Sequence, residues 1–448
     1  MASNKKLNLF DFTMIVVTLV IGMGIFRTPT TVAANSPDGI LFFAAWIAGG
    51  LIALCGALTY AEIGSRLPVA GGYYKIFSYA YHPSIAFAIN CVILVSNAAS
   101  LAGVALIGAE YIVKVILPNQ ANAQAYQIGI AIFSILTFYG INLLGLKMSA
   151  TAQNILAIIK ISLIILLISP LFFYSNQNAE TVIIAPAHAA NLMAYIKAFG
   201  IGLVAVSFTY GGYQQTINFG SEVNNAPKNI PKGIFLGIII IIVLYLFINY
   251  AYLKVIGFQQ LKSATGIAAI MASHVFGNAA GNILSVLLFL SVLAYVNVLL
   301  MSNPRVMQAM SEDGVLPKAF GKRSSKNQVL TTALSVFAAL CVLIVFWAKT
   351  FDEILSFSIF LDCFGMVLSA ATIFILRKRT AHLNKTGIYT MRLFPLLPIV
   401  FIAAYIFVAA SIFIDKPYTA LLGLAILALF TALYFLLKKR NKYQPLLK

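Results

Sequence analysis

Ile21-Gly22-Met23-Gly24-Ile25-Phe26 lies in the middle of the first apolar run of this chain, and Phe208-Thr209-Tyr210-Gly211-Gly212-Tyr213 lies in the middle of another far downstream. A helix that crosses hydrocarbon keeps its backbone N–H and C=O groups bonded within itself, and an unwound turn leaves them without partners. A glycine pair at that depth is therefore costly unless the opened backbone has a use. Pro29 follows the first interruption, and Pro227 and Pro231 follow the second, in what reads as the next loop. These two interruptions decide the fold once the runs around them are counted.

The chain has 448 residues, 61% of them hydrophobic and only 9% charged, with a mean hydropathy of +0.94. Soluble domains carry about a quarter charged residues, so an ordinary water-soluble protein is excluded. Apolar runs of helix-spanning length predict twelve transmembrane segments, at 10–34, 40–62, 85–117, 125–146, 152–175, 194–221, 232–256, 282–311, 328–348, 353–377, 393–413 and 417–438. The first and sixth are the interrupted ones. The expected fold is an all-α polytopic membrane protein.

Net charge is +18, with a pI near 9.7. On the twelve-span layout, 22 of the 30 Lys and Arg fall on the side that carries both termini, which the positive-inside rule makes the cytoplasm. The basic excess is thus read as a topology label, with no nucleic acid partner; the run from Lys438 to Lys442 also suits anionic lipid. Lys5 and Lys6 before an apolar run, with Val32-Ala33-Ala34 after it, mimic a signal peptide, but eleven more spans follow. Cys55, Cys91, Cys341 and Cys363 all fall inside spans without paired spacing, and they read as small core residues. His82, His188, His274 and His382 are scattered and receive no role. No metal or other cofactor is expected.

The interrupted spans lead two successive five-helix blocks. An odd number of helices per block inserts the second block upside down, which is the sequence pointer to an inverted-repeat secondary transporter. The division expected is 1–175 for the first repeat, 194–377 for the second, and 378–448 for two further helices and a basic tail. A half-helix that begins after Gly22 offers the N–H groups of Met23, Gly24 and Ile25 at a positive dipole end, which suits a carboxylate. The second interruption frees carbonyls, which suit an ammonium group. Together they would hold the two groups shared by every α-amino acid. The alternative is that the glycines serve only close helix packing.

Lys160 stands in the middle of the fifth span, where a lysine costs roughly 2.5 to 3.5 kcal/mol on insertion scales. It should face the bundle interior and bond carbonyls or hydroxyls, either standing in for a coupling Na⁺, carrying a proton, or serving as a buried strut. Asp362 is a lone acid in the tenth span and is a second candidate by the same rule. Glu110, nearer the outer end of the third span, reads as a vestibule or packing residue.

These residues resemble the amino acid/polyamine/organocation transporters, and within them the L-type amino acid transporter branch. Gly22-Met23-Gly24-Ile25-Phe26 is similar to the family's G-S-G-I-F. Tyr60-Ala61-Glu62-Ile63-Gly64 with Pro68 and Gly71-Gly72-x-Tyr74 resembles its first cytoplasmic loop, and Asn142 with Gly145-Leu146-Lys147, Gln153 and Lys160 resembles the approach to its fifth helix. Phe208-x-Tyr210-Gly211-Gly212-Tyr213, followed by Glu222 and Asn229-Ile230-Pro231, is similar to F-A-Y-G-G-W. Arg305 and Asp313-Gly314-Val315-Leu316-Pro317 resemble the loop after the eighth helix. The resemblance implies a LeuT-type five-plus-five fold, sodium-independent amino acid transport, and a Lys160 amine in the place that Na⁺ takes in sodium-coupled relatives. It also implies Phe208 as the outer gate, and Gly22 and Ser291 as the contacts of the lysine. Met23 departs from the family's serine, Tyr213 and Gln214 from its Trp and Asn, and Tyr295 from a serine near the lysine.

The function expected is permeation of neutral α-amino acids across the inner (plasma) membrane by alternating access, through exchange or coupled to protons. Its site is drawn from Gly22, Met23, Gly24, Ile25, Phe208, Thr209, Tyr210, Gly211, Gly212 and Tyr213. Lys160 and Ser291 would set the coupling, with Asp362 and Glu110 as outlying candidates. A cationic amino acid or polyamine carrier is the runner-up, and a non-transporting amino acid sensor ranks behind it. No His/Glu metal spacing or Ser/Lys dyad points to an enzyme. No cysteine lies in an outer loop to anchor a disulfide-linked ancillary subunit, so the expected partners are the free amino acid and the lipid bilayer.

Overall fold

The computed structural model describes residues 6–22, 24–69, 71–117, 123–174, 192–264, 266–347, 351–382 and 387–440. Sixteen α-helices occur among them: α1 Leu9–Val20, α2 Gly24–Asn35, α3 Gly39–Arg66, α4 Gly72–Ala80, α5 Pro83–Ile116, α6 Ala123–Leu143, α7 Leu146–Ile168, α8 Leu192–Tyr210, α9 Ala226–Ile256, α10 Phe258–Ser263, α11 Ile267–Phe276, α12 Asn278–Glu312, α13 Thr331–Trp347, α14 Phe351–Arg379, α15 Leu396–Asp415 and α16 Pro417–Arg440. Ten helices among the described residues are long and apolar enough to span a membrane, and the bent pair α1–α2 makes an eleventh span. The apolar α13, at 17 residues, occupies the place of the ninth span read from the sequence. The all-α polytopic expectation is met.

Local chemistry explains several boundaries. Asn8 starts α1 through a reciprocal cap, accepting from the Asp11 N–H at 2.8 Å while its own N–H reaches the Asp11 carboxylate at 3.2 Å. Asp38 caps α3 through the Leu41 N–H at 2.7 Å. Two boundaries differ from the expectation. Pro227 lies in the first turn of α9, where its missing N–H costs nothing, so the seventh span begins earlier than the predicted residue 232. The sixth span does not resume as an α-helix; after Tyr210 it continues in 3-10 turns, Tyr213–Asn218 and Gly220–Glu222. The short helices α4, α10 and α11 lie below spanning length, and the hydropathy reading did not separate them.

α5 runs through the middle of the bundle, packed by α12, α14, α6, α13 and α16, while α3 packs on α9 and α2 on α8. Large apolar side chains face outward on the peripheral helices, such as Phe133 at 70% exposed and Leu343 at 66%. In water such a surface would be a liability, whereas against lipid tails it costs nothing.

One buried ionic hub joins three elements at the end of α3. The fully buried Glu62 pairs with Arg66 and with Arg377 of α14, each at 2.7 Å, and accepts the Met391 N–H at 2.9 Å. Arg66 also donates to the Thr380 hydroxyl at 2.9 Å. Removing the single acid from such a cluster strands two cations, a loss on the order of 3 to 5 kcal/mol. Glu62→Ala is expected to lower the thermal midpoint in detergent by more than Arg377→Ala, whose side chain is partly exposed. An equal or smaller loss for Glu62→Ala would show that the carboxylate is not the hub.

Candidate functional site

α1 stops at Val20 because Ile21 leaves helical geometry (ψ 91°), and α2 starts at Gly24. The last carbonyls of α1 and the first N–H groups of α2 therefore lack partners within their own helices. Two side chains from neighbouring helices take up the carbonyls. The Lys160 ammonium, from α7, donates to the Ile21 carbonyl and is 1% exposed. The Tyr245 hydroxyl, from α9, lies 3.2 Å from both the Val20 carbonyl and the Thr209 carbonyl of α8, so one group ties both interruptions together.

The two breaks also touch directly. A Cβ on Gly24 would come within 2.7 Å of the Thr209 hydroxyl and 3.1 Å of the Thr209 Cα, so α2 and α8 meet where only glycine fits. Gly212, at φ +110°, packs against the Leu19 carbonyl and donates its N–H to the Gln214 side chain at 2.9 Å. The glycine pairs thus allow close packing where the two helices open.

A narrow cavity of about 40 Å³ lies at this junction. Of the residues expected from sequence, Gly22, Gly24, Phe208, Thr209, Gly211, Gly212 and Asp362 line it. Asp362 accepts from the Ser96 hydroxyl at 2.7 Å, and Ser96 in turn meets the Ser358 hydroxyl at 2.8 Å. No ion pair includes Asp362 among the described residues. At about 30 Å³ per water the space holds roughly one water, so a bound amino acid requires the walls to part.

Other candidates fall elsewhere. Tyr210 turns away to pack edge-on against Trp46, with ring centroids 6.0 Å apart, and lies 5.1 Å from the Tyr245 ring. Tyr213 is fully buried against Tyr60, centroid to centroid 5.9 Å. Ile25 is buried outside the cavity wall, and Met23 lies outside the described residues. Lys160 lies behind the first break instead of in the cavity wall. Ser291 does not reach it: its hydroxyl donates back to the Leu288 carbonyl of α12 at 2.8 Å, a local bond that mid-helix serines commonly make. The lysine's contact is therefore Ile21, not Gly22 with Ser291. Glu110 sits in a separate ion cluster, 3.4 Å from Arg27 and 2.8 Å from Lys114.

Sequence reasoning missed the polar wall opposite the breaks. Asn97 accepts from the Gln215 amide at 2.7 Å and donates to Asn303 at 2.7 Å, and Ser100 meets the Tyr295 hydroxyl at 2.8 Å. The signal was present: Asn97, Ser100 and Val104, all lining the cavity, follow helical spacing along one face of α5.

Comparison with known proteins agrees with this geometry. The model of the amino acid permease family matches residues 7–437. The chain is 30% identical over 448 residues to the serine/threonine exchanger SteT of Bacillus subtilis (strain 168), covering 98% of both chains. It is 25% identical over 441 residues to the large neutral amino acids transporter small subunit 2 of Mus musculus, covering 97% of this chain and 81% of that one. It is 23% identical over 439 residues to the Asc-type amino acid transporter 1 of Mus musculus, with the same coverage of 97% and 81%. With two broken spans locked face to face and a match running through nearly all of its helices, the chain belongs to the amino acid permease family, whose members are transporters and not enzymes.

Proposed function

We propose that this protein carries neutral α-amino acids across the inner (plasma) membrane by alternating access without sodium, exchanging one amino acid for another or drawing on a proton gradient. The observation that carries this reading is the Lys160 ammonium on the Ile21 carbonyl. Freed carbonyls at a half-helix C-terminus are where transporters of this architecture coordinate Na⁺. A permanently tethered cation in that position stabilises the same negative dipole end and leaves no task for a soluble one. The amine could also release its proton during the cycle, which keeps the proton-linked form open.

On the other side of the break, the first N–H groups of α2, from Gly24 and Ile25, suit the substrate carboxylate, and the carbonyl end of α8 suits its ammonium. Phe208, part-buried in the wall, serves as the outer gate. The names of the relatives, which include a serine/threonine exchanger and a large neutral amino acids transporter, support neutral substrates and favour exchange. Topology with both termini cytoplasmic follows from the positive-inside count. The two repeats would run 1–175 and 194–377, each led by its broken span, with 378–448 appended. All four cysteines lie inside apolar helices, away from any loop that could meet another chain, and this placement is what favours action without a disulfide-linked subunit.

Asp362 favours a second reading. A carboxylate in the cavity wall would suit the second charge of a cationic amino acid or polyamine. In that reading Asp362→Asn abolishes uptake of lysine or putrescine. In the neutral reading the wild type takes up neither, and the variant still carries alanine.

Purified protein in liposomes is expected to take up labelled serine, threonine or alanine equally well in Na⁺-free and Na⁺ buffer. Strict Na⁺ dependence sinks the tethered-cation idea. Stimulation by internal amino acid selects exchange, and stimulation by an inward proton gradient selects symport. Lys160→Ala is expected to lose at least tenfold in uptake while eluting as a monodisperse peak; wild-type uptake would reduce Lys160 to a strut.

A further inference from the structure

Gln214 and Gln215 sit side by side in the 3-10 turn after the second break, and both line the central cavity. Their side-chain oxygens are placed differently. That of Gln214 accepts the Gly212 N–H at 2.9 Å, so it is spent on the backbone of the break. That of Gln215 is enclosed, in a residue only 4% exposed, and nothing among the described residues donates to it. A buried acceptor without a donor is costly and calls for an explanation.

The direction of the Gln215 amide is fixed by a relay of side chains. At the far end the Leu299 backbone carbonyl can only accept, so Asn303 presents its nitrogen there at 2.9 Å and its oxygen to Asn97. Asn97 turns its own nitrogen to Asn303 at 2.7 Å, which leaves its oxygen to accept from Gln215 at 2.7 Å. Gln215 must therefore point its nitrogen at Asn97 and its oxygen away. Reversing any one of the three amides would set two donors or two acceptors face to face. A chain anchored on α12 and passed through α5 thus ends, in the cavity wall, on an uncharged acceptor whose orientation is set from outside the cavity.

We infer that Gln215 reads the side chain of the substrate, selecting a small α-amino acid that carries a hydroxyl over one of the same shape that carries a methyl. The inference rests on the amino acid transport proposed above, in which backbone groups of the two breaks take the carboxylate and the ammonium and leave the side chain to the walls. A substrate that fills this narrow space excludes water from it. An apolar side chain then leaves the Gln215 oxygen unpaired, whereas a hydroxyl donates to it. The relay prevents the amide from turning its nitrogen inward instead, so the preference is for a donor.

The test uses the full-length protein in liposomes with two pairs of labelled substrates matched in shape, L-threonine with L-valine and L-serine with L-2-aminobutyrate. The wild type is expected to favour the hydroxyl member of each pair by about tenfold or more in kcat/KM. Gln215→Met, apolar and of similar length, should bring both ratios to within about threefold of one, with the loss falling on threonine and serine. Gln215→Asn keeps an amide but draws it back by one methylene; it should also lower both ratios, and it stands in if the methionine variant is lost from the membrane. Wild-type ratios below about threefold, or wild-type ratios retained in the recovered variant, overturn the inference. Failure of the wild type to carry any L-amino acid overturns the transport reading itself.

Discussion

Everything in this protein depends on how unpaired backbone is satisfied away from water. Two spans open in mid-membrane, and each opening exposes peptide groups that would cost several kcal/mol apiece if left in hydrocarbon. The solution is mutual. α7 and α9 contribute one polar group each, the Lys160 ammonium and the Tyr245 hydroxyl, and both are spent on carbonyls of the breaks. The glycines then bring α2 and α8 close enough for each break to seal part of the other. What remains open is a small patch of N–H and C=O groups facing a cavity.

The use of Lys160 differs in kind from the other ionic contacts. Glu62, Glu110, Glu222 and Asp313 are all paired with Lys or Arg, and these pairs tie helix ends together. Lys160 has a carbonyl and Asp362 has a hydroxyl in place of a counter-ion. A paired charge is locked by its partner, since separating the two in a low dielectric is expensive. A charge held by a dipole is released more easily, and it responds to whatever charge next enters the cavity. Lys160, behind the first break, and Asp362, in the cavity wall, are thus held by dipoles and not by counter-ions.

Much of this was legible in the sequence because the bilayer imposes few solutions. The first span was read as 10–34 and is built from Leu9–Asn35; the eighth was read as 282–311 and is Asn278–Glu312. The glycine pairs marked both breaks, and Lys160 was conspicuous by its cost. The site was only half legible, since a motif names consecutive residues and a helix turns by 100° at each step. Within Phe208-Thr209-Tyr210-Gly211-Gly212-Tyr213, Phe208, Thr209 and the glycines face the cavity, while Tyr210 and Tyr213 anchor the break to Trp46 and Tyr60. The resemblance implied Ser291 as a partner for the lysine, but a serine hydroxyl within a helix has its own carbonyl nearer at hand, here that of Leu288. The α5 wall escaped notice because single Asn and Ser residues in a span are commonplace, and only their shared face gives them meaning.

The two ends of the cavity are closed by different chemistry, and this bears on how alternating access would proceed. At one end the 3-10 segment after Gly212 is bound at many points: Gln215 to Asn97, Asn218 to the Gly71 and Tyr73 N–H groups at 3.1 and 2.9 Å, and Glu222 to Arg305 at 3.1 Å. Leu7, ahead of α1, pairs with the strand-like residues that follow, its N–H reaching the Glu222 carbonyl at 2.7 Å. Opening this side means trading a set of hydrogen bonds for water, which is close to neutral bond for bond once water can enter. At the opposite end the part-buried Phe208 lies in the cavity wall. The carbonyl end of α8 leads through Gly211 and Gly212 directly into this bound segment, so a shift of the second break is passed on to it.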